Sequence, residues 1–352
     1  MERNSEKRYG LQPMVYAGDP WAVIDGTVSD RVPTASLADA RSFARQAEEY
    51  FKAASAAGAI ETKPLLYYYA FLNLGKVLGL GRRYSSAKLV GSVSHGLTHN
   101  FAPGEDIDSA TLVIHKSAKT PSAFAELWRT LNHTSLKADR SLRVSELLAQ
   151  SVVGHRLWVK PRVRRERFIG VESVALLHDE ASKLIWATVE LKESALKSRY
   201  RSQIEVLRES GLDGAFRRVE PRTRSDGEVL VRFEQLDPVK YKAQPSDYVM
   251  EVVRRVRPFL WRTITSVEPY RRYYLYMRPK GGDEPIHQLL SVYALMFFLG
   301  SLTRYRPTYL LQLLVGEYGA LIREFLGTQP PQLLYGLACH FRGQEITKAA
   351  VV

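Results

Sequence analysis

The sequence predicts an α+β protein in which N- and C-terminal helices form a mainly helical core around a β-rich, basic insertion. Apolar residues recur at helical spacing near both ends of the 352-residue chain, whereas residues 168–277 contain several runs typical of strands. Because helices precede and follow the strands, we expect one interrupted helical core rather than two successive domains. The predicted parts are residues 1–33, 34–150, 151–280 and 281–352.

The N-terminal elements follow from turn residues and periodicity. Residues 1–33 contain Gly, Pro and Asp with little periodicity and predict an extended arm laid over the body. Residues 34–58 predict an amphipathic helix, and residues 62–81 a second helix that is apolar nearly all round and therefore central. Residues 82–100 predict a loop. A strand and two helices complete this part, over residues 109–117, 121–133 and 142–150.

The middle of the chain changes from helical to strand-like patterns, and the C-terminal part returns to helices. The middle predicts two strands within 168–192, a charged helix over 193–210, a strand over 227–236, a helix over 246–260 and a strand over 270–277. The C-terminal part predicts helices over 285–303, 308–326 and 332–341.

Charge and composition limit the class of partner. Fifty Lys and Arg against 37 Asp and Glu give a net charge of +13, which favours a polyanion such as nucleic acid, although a solvated basic surface has the same signature. The one cysteine, Cys339, excludes an intramolecular disulfide and fits a reducing compartment. The N-terminus has no apolar segment of a signal peptide, and the longest apolar run, 289–302, is shorter than the ~20 residues that span a bilayer. We expect a cytoplasmic protein with no membrane partner.

Three basic segments with interleaved aromatic residues make the middle part the best candidate for nucleic-acid binding. Lys and Arg hold phosphates while aromatic faces, such as those of Trp158 and Phe168, stack on unpaired bases. The alternative, weighed equally, is that Tyr274 and Tyr276 belong to the core and the arginines face water. The candidate residues are Arg156, Lys160, Arg162, Arg164, Arg165, Arg167, Arg254, Arg255, Arg257, Arg271 and Arg272.

The motif RYRP interrupts two apolar helices and predicts an anion site. Guanidinium groups present a planar fork of charged donors, and Pro307 starts a helix whose free N–H groups also favour an anion. The alternative is a capping and ion-pairing role, with Glu317 or Glu324 as the carboxylate. The candidate phosphate ligands are Arg304, Arg306 and Thr308.

Two histidines four residues apart, His95 and His99, are candidates for proton transfer because imidazole titrates near neutral pH. The spacing would suit a metal only on a helix, and the neighbouring glycines predict a loop instead, so we expect no metal. The alternative for both is a hydrogen-bonded loop histidine. We find no P-loop, dinucleotide fingerprint or nucleophile elbow, and we expect no cofactor.

Residues 40–80, the SHGL stretch at 94–97 and LGSLTRYRPTY at 299–309 resemble the YaaC-like bacterial family over most of the chain. The resemblance implies a bacterial cytoplasmic protein with helical ends and a mixed middle. The first two helices are also similar, more distantly, to HEPN-type helical domains. Many of those are ribonucleases of toxin and antiphage systems that cut RNA through an R-x4-6-H motif at a dimer interface. That spacing is not found here, and the nearest match, Arg129 to His133, is R-x3-H.

Together these observations predict a protein that binds nucleic acid, either RNA or another single strand. We expect it to act in a stress or antiphage-defence module, with a divergent HEPN-like factor as one form of this prediction. Whether it is an enzyme stays open; if it is one, we expect a metal-independent ribonuclease that uses the histidines and arginines named above. Two alternatives remain. One is a non-enzymatic scaffold for proteins encoded nearby, and the other is a sensor of a small anion or nucleotide. A homodimer is expected only by analogy with HEPN-type domains.

Overall fold

The computed structural model of the chain confirms the predicted α+β class. It describes residues 14–81, 89–90, 93–101, 105–116, 122–150, 155–159, 165–197, 202–267, 272–279 and 284–348. These residues fall into two compact units. A helical unit lies within residues 14–166 and 287–348, and a sheet unit lies within residues 167–267 and 272–286. The HEPN-like character of the helical part stays a prediction.

The helices of the described ranges are α1 (Pro20–Arg31), α2 (Thr34–Ala56), α3 (Lys63–Leu80), α4 (Ala123–Asn132), α5 (Val144–Ala149), α6 (His155–Val159), α7 (Glu193–Lys197), α8 (Gln203–Ser210), α9 (Val249–Thr263), α10 (Gln288–Tyr305), α11 (Pro307–Val315) and α12 (Gly319–Arg342). None of the helices in this part of the chain is both long and apolar enough to cross a membrane.

The strands are β1 (Met14–Tyr16), β2 (Leu97–Asn100), β3 (Thr111–Ile114), β4 (Arg140–Arg143), β5 (Phe168–Val171), β6 (Ser173–Asp179), β7 (Leu184–Lys192), β8 (Phe216–Thr223), β9 (Val229–Gln235), β10 (Val239–Lys240), β11 (Ile264–Val267), β12 (Arg272–Tyr276) and β13 (Glu345–Thr347). In the helical unit β1 pairs parallel with β13, and β2, β3 and β4 form an antiparallel sheet. In the sheet unit the orders are β10-β7-β9-β8, with β6 also on β7, and β11-β12-β5.

The core of the helical unit forms around α3 and α10, which the sequence predicts to be apolar nearly all round. Phe71 and Leu74 of α3 and Phe298 of α10 are fully buried, and each such side chain contributes about 1.5–3 kcal/mol. The two helices approach closely at Gly300, where an added Cβ would lie 3.3 Å from both the Pro64 carbonyl oxygen and the Tyr68 Cβ. This approach places the end of α10 beside the first turns of α3.

The extended arm predicted for residues 1–33 is wrong over Pro20–Arg31, which is helix α1. The Asp19 side chain accepts a hydrogen bond of 2.9 Å from the Trp21 N–H, and Pro20 fills the first turn, where it needs no N–H partner. Ile24 and Val28 are buried on one face. The Asp and Pro residues that suggested an extended arm are therefore in part the N-terminal residues of this short helix. Residues 1–13 lie outside the described part of the chain.

The predicted boundaries of the last two helices, 308–326 and 332–341, are also wrong. Helix α11 ends at Val315, where the chain turns, and α12 then continues through Pro330 and Pro331. At Gly319 a Cβ would lie 2.1 Å from the Leu314 carbonyl oxygen, so this corner accepts only glycine. Proline gives up one backbone hydrogen bond, and tertiary burial of the surrounding helix offsets that loss.

The sheet unit has an apolar core between its sheets and helices α8 and α9, built from side chains such as Val206, Phe233 and Val256. Its strand β8 escaped prediction because charged residues dominate it, as is usual for a strand at the edge of a sheet. Glu190 on β7 is only 2% exposed and accepts hydrogen bonds from Ser173 (2.6 Å) and Arg222 (3.4 Å). These partners satisfy the buried carboxylate within the sheet.

Candidate functional site

The structure brings the predicted site residues His95, His99 and Arg304 to one face of α10, and Arg306 follows at the C-terminal end of this helix. Phe297, Ser301 and Arg304 lie on that face at i, i+4 and i+7. The Phe297 ring lies 5.9 Å from the ring of His95 and 6.4 Å from that of His99, measured between centroids. We call the group formed by Tyr68, His95, His99, Arg304 and Arg306 around Phe297 the Phe297 cluster.

The His95 ring is exposed on one side and covered on the other by Tyr68 and Phe297. Its Nδ1 lies 2.5 Å from the Tyr68 hydroxyl. Burial, and then Tyr293, raises the pKa of Tyr68, so this phenol keeps its proton, and the imidazole tautomer sets which of the two groups donates. Partial burial, then Arg304 and Lys76, lowers the pKa of His95. We therefore assign a neutral imidazole with Nδ1 engaged by Tyr68 and Nε2 outside that hydrogen bond.

Gly96 fixes how His95 enters the small sheet. Its φ of +75° is accessible mainly to glycine, and an added Cβ would lie 1.7 Å from the Ser122 Oγ. Ser122 caps α4 by accepting from the Ala125 N–H. The loop predicted for residues 82–100 is therefore wrong at its end, since β2 begins at Leu97, and the glycine marks the turn into this strand rather than a continuing loop.

His99 lies on β2 with both ring nitrogens enclosed. Nε2 lies 2.8 Å from the Ser301 Oγ, and Nδ1 is buried. Its ring also packs edge-on against Phe298, with centroids 5.5 Å apart. Burial and then Arg306 lower its pKa, so His99 is neutral at pH 7. This histidine is held more tightly than His95.

The two arginines of RYRP point to different neutral oxygens. Arg304 is exposed and donates through Nη1 to the Tyr69 hydroxyl at 2.9 Å. Arg306 donates through Nη1 to the Phe101 carbonyl oxygen. Among the residues that the structure describes, no carboxylate forms an ion pair with either guanidinium, so the expected pairing with glutamate is not found in this part of the chain. Both therefore keep charge and donors for an anion.

Thr308 lies in the first turn of α11 and is exposed. Arg306 occupies the N-cap position of α11 without a side-chain cap, and Pro307 is the first helical residue, as predicted. The N-terminus of α11 thus follows directly on the arginines, next to Phe101, whose ring packs against Tyr309 at 6.2 Å.

A family model described as YaaC-like Protein matches residues 22–341, a range that includes the whole Phe297 cluster. The chain belongs to the YaaC-like family. This confirms the family resemblance predicted from the sequence. Comparison with curated proteins and with solved structures gave no match. The more distant HEPN resemblance stays a prediction.

Sequence reasoning missed the part of the site that α3 contributes to this YaaC-like protein. Tyr68 and Tyr69 lie on the helix that the sequence predicts to be apolar nearly all round, but their hydroxyls bind His95 and Arg304. Lys76 of the same helix contributes, after burial and Arg304, to the lowered pKa of His95. The available signal was the i, i+7 spacing of Tyr69 and Lys76, which puts a phenol and an amine on one side of an otherwise apolar helix.

The basic segments of the middle part are less favourable for binding than the sequence suggests. Trp158 and Phe168 are 1% and 3% exposed, so the expectation that they stack on bases is wrong. Arg255 pairs with Asp237 at 2.6 Å and with Glu251 at 2.7 Å. Trp158 and Phe168 pack in the core, because burying a large aromatic ring is more favourable than exposing it to water, even within a basic segment.

The other predicted nucleic-acid-binding residues have varied surroundings. Arg167 donates to the Tyr276 hydroxyl at 3.0 Å, whereas Arg165, Arg254 and Arg272 are exposed. The remaining candidates lie outside the described residues or have side chains outside them, and these are Arg156, Lys160, Arg162, Arg164, Arg257 and Arg271.

Proposed function

We propose that this YaaC-like protein binds single-stranded nucleic acid, in the first place RNA, through phosphate groups held at the Phe297 cluster. The supporting observation is that Arg304 and Arg306 use neutral oxygens as partners and keep their charge uncompensated by any carboxylate in the described part of the chain. Two forked, permanently charged donors beside a neutral imidazole N–H are well suited to a phosphate diester.

The overall charge favours the same class of ligand. A net charge of +13 attracts polyanions and accelerates their encounter with the protein. Tyr305, 67% exposed, lies under the Arg304 guanidinium at 5.0 Å and offers a ring face next to the phosphate site. Stacking of an unpaired base on such a face contributes about 1–3 kcal/mol and tolerates any sequence. A cytoplasmic role in a stress or antiphage-defence module belongs to the same proposal.

Binding is favoured over two-histidine cleavage. Proton transfer to a substrate requires an accessible nitrogen, and both nitrogens of His99 are enclosed. His95 is exposed, and we assign its proton to Nε2, the nitrogen that Tyr68 does not contact, so that it donates a hydrogen bond to a phosphate oxygen. In this proposal His95 is a ligand for phosphate, and no bond of the nucleic acid is broken.

The test is a salt titration of binding to a labelled 20-nucleotide RNA, with the full chain and two variants. Each phosphate contact of a single strand contributes about 0.7 to the slope of log affinity against log salt. We expect Arg304→Met to reduce that slope by about this amount and to weaken binding about tenfold or more, because a charge-assisted hydrogen bond is lost. The matched control is Arg255→Met, whose arginine already pairs with two carboxylates and should bind RNA like the wild type.

The outcomes separate the rival functions. Loss of binding in Arg255→Met but not in Arg304→Met would place the nucleic acid on the sheet unit and overturn the site. Absence of RNA binding even at low salt would overturn the function itself. Shortened RNA products that are missing with His95→Ala would show that cleavage accompanies binding and that the non-catalytic form of the proposal is wrong.

A further inference from the structure

A row of polar side chains leads away from the Phe297 cluster along the contact between α2 and α3. On α3 these residues are three or four positions apart and so lie on one side of the helix. Three pairs connect the helices: Tyr69 with Tyr50 (ring centroids 5.7 Å apart), Asn73 with Gln46 (Nδ2 to Oε1, 3.1 Å) and Lys76 with Phe43 (Nζ to ring centroid, 4.6 Å). The row begins at the Arg304 partner and ends at an amine.

Lys76 is a half-buried cation without a carboxylate partner among the described residues. Its contact is the ring of Phe43, which attracts the ammonium group only weakly compared with an ion pair. Burial lowers its pKa, as expected for an ammonium group that has no anion beside it. On α2, by contrast, Lys52 pairs with Glu48 at 2.8 Å. A cation kept without a counter-charge is best stabilised by an anionic ligand.

The position of Lys76 on α3 relates its amine to the site formed by Arg304. Arg304 is bound to Tyr69, and Lys76 follows Tyr69 by seven residues, a rise of about 10 Å along the helix. The His95 ring lies beside Tyr68, the neighbour of Tyr69 on α3, and burial, then Arg304 and Lys76, lowers its pKa. One phosphate group is too small to contact both cations, whereas flexible side chains at this spacing reach two successive phosphates of one strand.

We propose that Lys76 forms a second phosphate subsite, so that the Phe297 cluster and the α2–α3 row together hold two successive phosphates of a single strand. This inference rests on the proposed function and extends it by defining the minimal ligand as a phosphorylated dinucleotide. Tyr69 and Tyr50 lie between the two subsites, and their ring faces are placed where the intervening base would stack.

The experiment measures binding of thymidine 5′-monophosphate and of 5′-phosphorylated dithymidylate to the full chain by titration calorimetry. We expect the dinucleotide to bind the wild type about tenfold more tightly, because it adds one phosphate contact. Lys76→Met should bind the mononucleotide like the wild type and lose the tenfold advantage of the dinucleotide. Lys52→Met is the matched control and should keep it, since that lysine is exposed and paired on the surface.

A second readout distinguishes a ligand role from a structural one. Because a bound phosphate raises the lowered pKa of Lys76, dinucleotide binding at alkaline pH should take up protons, and Lys76→Met should abolish this uptake. The uptake is measured by comparing binding enthalpies in two buffers of different ionisation enthalpy. A Lys76→Met variant with unchanged dinucleotide affinity overturns the second subsite.

The failure of this inference is distinguishable from that of the proposed function. If Arg304→Met loses affinity for both ligands while Lys76→Met loses none, the phosphate site at the Phe297 cluster stands and the second subsite is wrong. If the wild type binds neither ligand, both proposals are wrong.

Discussion

Replacing Gly96 by alanine tests the geometry that sets His95 in place. An alanine at the φ of +75° costs about 1–2 kcal/mol, partly offset by about 0.4–1 kcal/mol from a less flexible unfolded chain. The new Cβ would lie 1.7 Å from the Oγ and 2.9 Å from the Cβ of Ser122, so Ser122 has to move and the N-cap of α4 is lost, at about 1 kcal/mol. Overpacking of this buried site adds about 1–3 kcal/mol. We expect a total loss of about 3 kcal/mol in the free energy of unfolding.

Urea unfolding followed by circular dichroism measures this loss against two controls. Gly227→Ala places alanine at a φ of +82° with nothing within 4 Å, so it isolates the backbone cost of about 1 kcal/mol. Ser122→Ala isolates the cap. Gly96→Ala should cost more than the two controls combined, and the excess is the steric contribution. A loss equal to or below that of the two controls together would refute the close approach of Gly96 to Ser122.

Two further predictions concern the same unit. Gly300→Ala should lower the free energy of unfolding by about 1–3 kcal/mol, because its Cβ meets backbone atoms of α3 at 3.3–3.4 Å. Gly327→Ala has open space around it and should be neutral or stabilise the fold by up to about 1 kcal/mol. Both are measured in the same denaturation assay. The pKa values of His95 and His99 are lowered in the folded state, so the unfolded chain binds more protons and stability should fall as the pH drops below about 6.5. Replacing both by asparagine should flatten this dependence, and a wild-type stability that rises on acidification would contradict it.

The sequence predicts helices α2, α3 and α10 well because the residue pattern that indicates each helix is long and is supported by more than one feature. Each has an apolar pattern sustained over more than four turns, and a proline or glycine marks an end. The RYRP junction between α10 and α11 was placed correctly for the same reason. Pro307 cannot continue the preceding helix, so the chain turns there whatever the tertiary surroundings.

What the sequence could not predict depends on tertiary contact. The role of Tyr68 is invisible in a run of aromatic residues, because only the position of Gly96 and β2 brings an imidazole to its hydroxyl. The prediction that Trp158 stacks on bases was wrong in the opposite sense, since a basic local sequence does not show that the ring itself is buried. Composition reports what a segment contains, and packing decides which of its side chains reach water.

The geometry of the Phe297 cluster has a thermodynamic consequence for the free protein. Because α3 and α10 are buried on nearly all sides, their backbones cannot move apart without opening the core. Arg304, Arg306 and Lys76 contact neutral oxygens or a ring and no described carboxylate, so the free protein leaves their charges without a counter-charge. An anion that binds only the folded state supplies that counter-charge and stabilises the fold by about 2.7 kcal/mol at a hundred times its dissociation constant.

We therefore expect a single-stranded oligonucleotide to raise the thermal midpoint of the helical unit, and we expect added salt to cancel the rise. The measurement is thermal unfolding of the full chain with and without a 20-nucleotide RNA at low and high salt. Arg304→Met should reduce the ligand-induced shift, and in the absence of RNA it should be about as stable as the wild type, since it removes only one exposed hydrogen bond. A variant that is clearly destabilised without RNA would mean that the arginine serves the fold rather than a ligand. That result would return RYRP to the role of a helix junction.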